Sequence, residues 1–384
     1  MSTQEHDDPI GAAARRLFND IFDDASARRL QPGPTPTDHA PADRLATDDR
    51  ALERPLADDA PAGRHPGGST RSQSIQTAWA QCVEGGFVHA LLPEAQGGIG
   101  LTLPEFFTTA LAAGACASPL PLVHTALLLR LLTENGVSDS ALPEGPITYA
   151  ERLAIHDGVM SAVGVPWSQV SRWAVAQTVH GVWLLPIDQQ ASDARTLVCQ
   201  GTEPHAWMAA GGQAVSADAD TLRGVAAAGY SVLLAGVLEQ MLAMTVRYAG
   251  ERQQFGKPIG RFQAIQQQIS AMAERVIAAR MAAQMGFIDD IYASRLDALA
   301  VAKAITSEVV PMASSIAHAV HGAIGVTEEY ALQRYSGAAH SWRGAAGGEV
   351  FWRRWIGQRV LADRGLPRDF LRTHLAGARV MDAA

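Results

Sequence analysis

Beyond Leu222 the chain runs through three long helical patterns with few breakers, Val225 to Arg252, Phe262 to Tyr292 and Ala298 to His321, each exceeding twenty residues. Helices of that length bury their apolar stripes against one another, so this half of the chain is expected to form a bundle of long antiparallel members. No stretch repeats at a fixed period, which excludes a solenoid.

The upstream half reads differently. An amphipathic segment, Ile10 to Leu30, is followed by "QPGPTPTDHAPADRLATDDRALERPLADDAPAGRHPGGSTRSQS", whose Pro, Asp, Ala and Gly carry little apolar period and predict a surface excursion or linker. From Ile75 to Asn135 three apolar helical stretches are broken by Gly-Gly and Pro. Between Ile147 and Val215 short runs such as "RWAVAQTV" and "GVWLLPI" alternate with period two and predict strands. The expected architecture is mainly α with a small β domain. Residues 1–74 form an N-terminal helix and linker, 75–145 a helical domain, 146–220 a short β domain and 221–384 a helical bundle.

Composition narrows the function class. The 384 residues are 47% apolar, enough for a sizeable core, and the formal charge of −8 supplies no basic field for nucleic acid. Cys82, Cys116 and Cys199 are odd in number and lack C-x-x-C spacing, so they read as reduced thiols rather than zinc ligands. The opening "MSTQEHDDPIGAAARRLFNDIF" has no basic-plus-apolar leader, and no eighteen-residue run is uninterruptedly apolar. The expectation is a cytoplasmic protein with neither nucleic-acid nor membrane partner.

Chemistry enters at Tyr248, where the chain reads "YAGERQQFGKPIGRFQAIQQQISAMA". This resembles the first helix junction of the C-terminal domain of acyl-CoA dehydrogenases, and "LLPEAQGGIGL" at Leu91 resembles a segment of their N-terminal domain. The resemblance spans roughly Ile75 to Leu361 and is weakest through the strands. It implies an N-terminal helical domain, a middle β domain that is truncated here, a C-terminal four-helix bundle, and FAD held at a subunit boundary. On that resemblance Arg252 matches the arginine that contacts the cofactor pyrophosphate, Phe255 the aromatic beside the adenine end, and Gln263 a flavin-contacting glutamine. A planar guanidinium fork suits a pyrophosphate, although an arginine at a helix end also complements the macrodipole and a phenylalanine before glycine is often core.

A second matching segment is "IAHAVHGAIGVTEEYALQRY", in which Gly322, Ala323 and Gly325 preserve a small-residue turn that lets backbone approach a flavin. Where the family carries a polar residue, typically Gln, this chain has Ala319. His318 and His321 share a helical face but lack a third ligand at helical spacing, so no metal site is expected. Thr-Glu-Pro within "GTEPHAW" copies a family tripeptide at the closing end of the strand region rather than its opening, and reads as coincidence.

The family reaction removes an α-proton from an acyl-CoA with a glutamate while the β-hydrogen leaves as hydride to the flavin. Counted from Tyr330, one family position for that base falls on Ala346; counted from Tyr248, the other and its arginine fall on Ala226 and Ala227. The carboxylate nearest the loop is Glu349, in "HSWRGAAGGEVFWRRW". Glu349 is the candidate catalytic residue. It is also explained as a first-turn acid paired at i, i+4 with Arg353.

Two functions stay open. One is an FAD-dependent acyl-CoA dehydrogenase of fatty acid or steroid catabolism, passing electrons to an electron-transfer flavoprotein. The other is a catalytically silent subunit paired with a base-bearing partner. The small residues at Ala226 to Gly229 and Ala346 to Gly348 leave room for a bulky acyl group, or let helices pack closely. A homo-oligomer or a heteromer is expected, since the family completes its flavin site across subunits.

Overall fold

The structure, a computed structural model, describes residues 8–22, 68–151, 153–156, 159–163, 165–178, 181–187, 205–208, 212–288, 296–363 and 370. Most of the expected linker, Cys199 and the Thr-Glu-Pro tripeptide lie outside them.

Helix α1 (Pro9–Ile21) starts where Asp8 Oδ1 accepts from the backbone N–H groups of Ile10 and Gly11 at 3.1 and 3.0 Å, with proline in the first turn. Its buried face, with Ala14, Phe18 and Ile21, packs on α3. Phe22 is the C-cap of α1, and the expected continuation towards Leu30 lies outside the described residues. Helix α2 (Gly68–Glu84) begins before the expected Ile75: its first turns, "GSTRSQS", are polar and carry no apolar period. Helices α3 (Leu103–Ala115) and α4 (Leu122–Glu134) complete this layer.

Seven strands follow: β1 (Ile147–Ala150), β2 (Ala154–His156), β3 (Val159–Val163), β4 (Trp173–Thr178), β5 (Gly181–Pro186), β6 (His205–Met208) and β7 (Gln213–Val215). One sheet has the order β1-β4-β5-β7, with β1 parallel to β4 and the rest antiparallel; the other is antiparallel, β2-β3-β6. The alternation divides labour. Val175 and Leu184 join the main core with the helices, whereas Ala174, Ala176 and Leu185 cluster with Ala162 of the second sheet.

The bundle comprises α5 (Ala219–Glu251), α6 (Gln263–Met285), α7 (Leu296–His321), α8 (Leu332–Gly344) and α9 (Glu349–Ala362). Asp218 caps α5, accepting from Thr221 N at 2.7 Å. By length and composition α5 and the stretch 296–326 could cross a membrane. In the fold α5 is the central helix, packed on α3, α6, α7 and α8. Between α5 and α6 lies a hairpin, β8 (Gln253–Gln254) and β9 (Lys257–Pro258), and after α7 a 3₁₀ turn, Gly322–Val326.

Candidate functional site

The tip of the β8–β9 hairpin is a two-residue turn with φ +52° at Phe255 and +76° at Gly256. Both central residues of such a turn need positive φ, which glycine accepts freely and phenylalanine does not. The chain holds Phe255 in that strained conformation and leaves the residue 90% exposed. A large ring in this position contributes little to the chain's own core.

Phe255 overhangs a cleft of about 450 Å³ lined also by Tyr248, Arg252, Ala319, His321, Gly322 and Ala323. Arg252, Phe255, Gly322 and Ala323, drawn from opposite ends of two sequence segments, are thus brought together. Gln263 is the exposed first residue of α6 and does not line the cleft, although Phe262 and Ile265 on either side of it do. Gly325 lies beneath the turn: a Cβ there would sit 3.0 Å from His321 Cβ and 3.2 Å from a Leu332 methyl, so its smallness serves packing. Sequence reading missed Tyr248 and His321 as lining residues. Their only signal was position, one at the head of the first motif and one directly before Gly322.

The chemistry of the lining fits the FAD that the resemblance implies. Arg252 is exposed and has no ion-pair partner among the described residues, so its guanidinium is available for a pyrophosphate. Gly322 has φ +64°, and a Cβ there would meet no atom of the chain, so the backbone is open to close approach. His321 Nε2 is buried and makes no hydrogen bond among the described residues. His318 instead engages Ser336 Oγ at 2.9 Å, and no group of three metal-ligating side chains occurs among the described residues.

The loop between α8 and α9 carries the position where the resemblance places a base. Ala346 is 3% exposed with φ +52°, and Gly347 has φ +85°. The loop is pinned from beneath. Lys303 Nζ donates to Ser307 Oγ at 2.8 Å and to the carbonyls of Arg343 and Gly347 at 2.8 and 3.0 Å, and Trp352 Nε1 donates to the Ala346 carbonyl at 2.9 Å.

Glu349 opens α9 as a first-turn acid. Its expected partner is corrected, because Arg353 pairs with Glu308 of α7. The end of α8 brings Arg343 alongside instead, with Nε on Oε2 at 3.2 Å and Nη2 on Oε1, a two-point fork. Those hydrogen bonds hold the carboxyl below its ordinary range against the opposing effect of burial, with Lys303 adding in the same direction. A base for carbon acids near neutral pH needs the reverse. The geometry therefore favours Glu349 as the anchor of α9 over Glu349 as a catalytic residue.

The other base position is filled in. Ala226 and Ala227 are buried in α5, and His124 of α4 donates Nε2–H to the Ala226 carbonyl at 3.3 Å. A Cβ on Gly229 would lie 2.7 Å from that imidazole. Tyr149, Trp167 and Tyr230 surround the ring at centroid distances of 5.9, 5.0 and 4.4 Å, and burial lowers its pKa to about 4. The room expected at Ala226 to Gly229 is taken by the chain's own aromatic rings, so there the small residues serve close packing. Cys82 and Cys116 are buried free thiols, pushed up by burial to about 12 and about 11.

Residues 223–361 match the acyl-CoA dehydrogenase C-terminal domain. The chain is 33% identical over 164 residues to benzylmalonyl-CoA dehydrogenase of Aromatoleum aromaticum, covering 42% of each chain. That match spans about two fifths of the relative's length. Acyl-CoA dehydrogenase IpdE2 of Mycobacterium tuberculosis is 28% identical over 275 residues, 67% of this chain and 78% of that one. The fold matches a chain of the ChsE4-ChsE5 complex from Mycobacterium tuberculosis with a TM-score of 0.69 at 20% identity, over 95% of this chain and 99% of that one. Residues 223–361 therefore carry an acyl-CoA dehydrogenase C-terminal domain, and the chain as a whole has an acyl-CoA dehydrogenase-like fold.

Proposed function

We propose that this chain is the base-less subunit of a heteromeric acyl-CoA dehydrogenase. It contributes part of an FAD site to an assembly that converts an acyl-CoA to the 2-enoyl-CoA, while a partner subunit supplies the carboxylate. The observation that carries the reading is the contrast between the two halves of the chemistry. The cleft keeps an available guanidinium, an exposed ring held at unfavourable φ and an open glycine turn. Both base positions are alanine, and the nearest carboxylate is held ionised by Arg343.

FAD, when bound, supplies the hydride acceptor. The chain's own groups then have separable tasks: Arg252 neutralises the pyrophosphate, Phe255 offers a flat apolar face, and Lys303 with Trp352 fixes the loop at Ala346. The ChsE4-ChsE5 structure is of a complex of two named proteins, which supports a mixed assembly for this chain as well. A steroid or fatty acyl thioester as substrate, an electron-transfer flavoprotein as acceptor and a cytoplasmic location belong to the same proposal.

The self-sufficient enzyme keeps one observation in its favour, since Glu349 closes the very loop that bears Ala346. Purification of the chain alone separates the two. Expected is FAD binding that weakens by about tenfold or more in Arg252→Ala, as for loss of a charge-assisted contact, with no bleaching of the flavin by a panel of acyl-CoAs. Bleaching that disappears in Glu349→Gln would establish the self-sufficient enzyme instead. Failure to bind FAD both alone and when co-purified with a base-bearing partner subunit would sink the flavin-site reading.

A further inference from the structure

One polar group at the cleft has half of its hydrogen-bonding capacity unmet. His321, the last residue of α7, is 4% exposed and lines the cleft. Its Nδ1 lies 2.7 Å from the carbonyl oxygen of Ala317, one turn back. A carbonyl only accepts, so Nδ1 carries the proton and Nε2 is left as a lone-pair acceptor. Burial lowers the pKa, the Ala317 bond works against that, and His318 and Arg247 add to the lowering. The imidazole is therefore neutral at physiological pH.

The ring is held in place by its neighbours. Tyr248 stacks on it at 4.5 Å with 26° between planes, and Tyr330 lies at 5.0 Å. Nδ1 bonds back to the ring's own helix, which turns the Nε2 edge away from that backbone. Nε2 is shielded from solvent by the chain's atoms, and both tyrosines beside the ring are only half-buried, so contact of a ligand with Nε2 requires that a covering group move. Ala319, Gly322 and Ala323 offer no side-chain hydrogen bond on this wall of the cleft.

We propose that His321 Nε2 is the cleft's acceptor for a hydrogen-bond donor on the adenosine half of FAD, an amino N–H or a ribose O–H. It serves where Ala319 cannot. This rests on the reading of the cleft as part of a flavin site, and it adds a cofactor-contacting residue that reads nucleotide chemistry rather than charge. A lone-pair acceptor favours a donor-bearing group over phosphate, whose oxygens would face the lone pair.

The test is calorimetric titration of the purified chain with FAD, in wild type, His321→Phe, His321→Gln and Arg252→Ala, with ¹⁵N NMR of the histidines. Phenylalanine keeps the ring stack and removes the acceptor; glutamine restores an acceptor at the reach of Nε2. Expected is a loss of about five- to tenfold in His321→Phe and recovery to within about threefold of wild type in His321→Gln, the scale of one hydrogen bond. The Nε2 resonance of wild type should shift at saturation. Titration with AMP and with IMP distinguishes the donors: weaker IMP binding that levels in His321→Phe identifies the amino group, and equal weakening of both identifies the ribose.

An unshifted Nε2 resonance with His321→Phe binding like wild type overturns the proposal while Arg252→Ala still upholds the flavin site. If wild type binds no FAD either alone or co-purified with its partner subunit, or Arg252→Ala binds equally well, the flavin reading falls and this inference with it. If His321→Phe does not fold, the glutamine variant and the wild-type resonance decide.

Discussion

At the scale of single residues, Lys303 shows how a charge can be buried and still do structural work. It is fully enclosed, and its three donors meet Ser307 Oγ and the carbonyls of Arg343 and Gly347, the full complement of an ammonium. Burial works against the charge and pulls its pKa down to about 7, with Glu349 pushing back. The folded state therefore releases this proton at lower pH than the unfolded chain does. Between about pH 7 and the ordinary lysine range the unfolded chain binds more protons, so the lysine's contribution to stability rises with pH there, and its penalty is complete below that window. Lys303→Met is expected to lower stability by about 1–3 kcal/mol, through the acceptors left unpaired in the loop. It should also flatten the rise in the urea midpoint above neutrality. An unchanged pH slope in the variant would refute the account. None of this was legible in the sequence, where a lone lysine on a helix reads as solvated. Glu349 was legible as a first-turn acid, but its partner Arg343 was not: a separation of six residues across a turn is not a helical pair, and only the packing of α8 against α9 creates it.

At the scale of elements, the long helices were legible because length and uninterrupted apolar period suffice to specify them. Their crossing points were not, because those depend on which partner arrives. The contact of α3 with α5 is set by two glycines: a Cβ on Gly236 would lie 2.2 Å from the Leu111 carbonyl oxygen, and one on Gly114 would lie 2.4 Å from that of Leu233. Backbone cannot yield as a flexible side chain can. Alanine for glycine gains up to about 1 kcal/mol of helix propensity, but separating two packed helices costs more. Gly236→Ala is thus expected to destabilise by about 2–3 kcal/mol net. Gly250, in the same helix with nothing within 4 Å of its would-be Cβ, provides the control. Gly250→Ala should stabilise by about 0.5–1 kcal/mol. Equal effects of the two substitutions in urea denaturation would show that close approach does not set this crossing. Strand signals such as "RWAVAQTV" were legible for a similar reason, since alternation is local; that Val175 faces the helices while Ala174 faces the second sheet emerges only once both layers are present.

Across the whole molecule, one cluster ties the layers together. His124 comes from α4, Tyr149 from β1, Tyr230 from α5 and Trp167 from the turn before β4, where it stacks on Tyr230 at 5.7 Å with only 8° between planes. Hydrogen bonds reinforce the junction: Thr125 Oγ1 of α4 accepts from Ile147 N at 3.0 Å, and Thr148 Oγ1 donates to the Pro166 carbonyl at 2.6 Å. Trp167 itself sits at φ +52°, so packing must outweigh backbone strain of about 1–3 kcal/mol. Helical layer, strand layer and bundle should consequently unfold together. In wild type, far-ultraviolet circular dichroism and near-ultraviolet aromatic signals are expected to follow one coincident transition in urea. Trp167→Ala removes the ring that touches both His124 and Tyr230, and a loss of about 3–5 kcal/mol is the scale for a buried aromatic truncated to alanine. Because the lost contacts lie between layers rather than within one, the two signals should separate in the variant, the strand layer melting before the bundle. A variant that loses stability with its transitions still coincident would show that the layers are coupled elsewhere, through the remaining contacts of β4 and β5 with α5. A variant within about 1 kcal/mol of wild type would show that this cluster is not a junction at all.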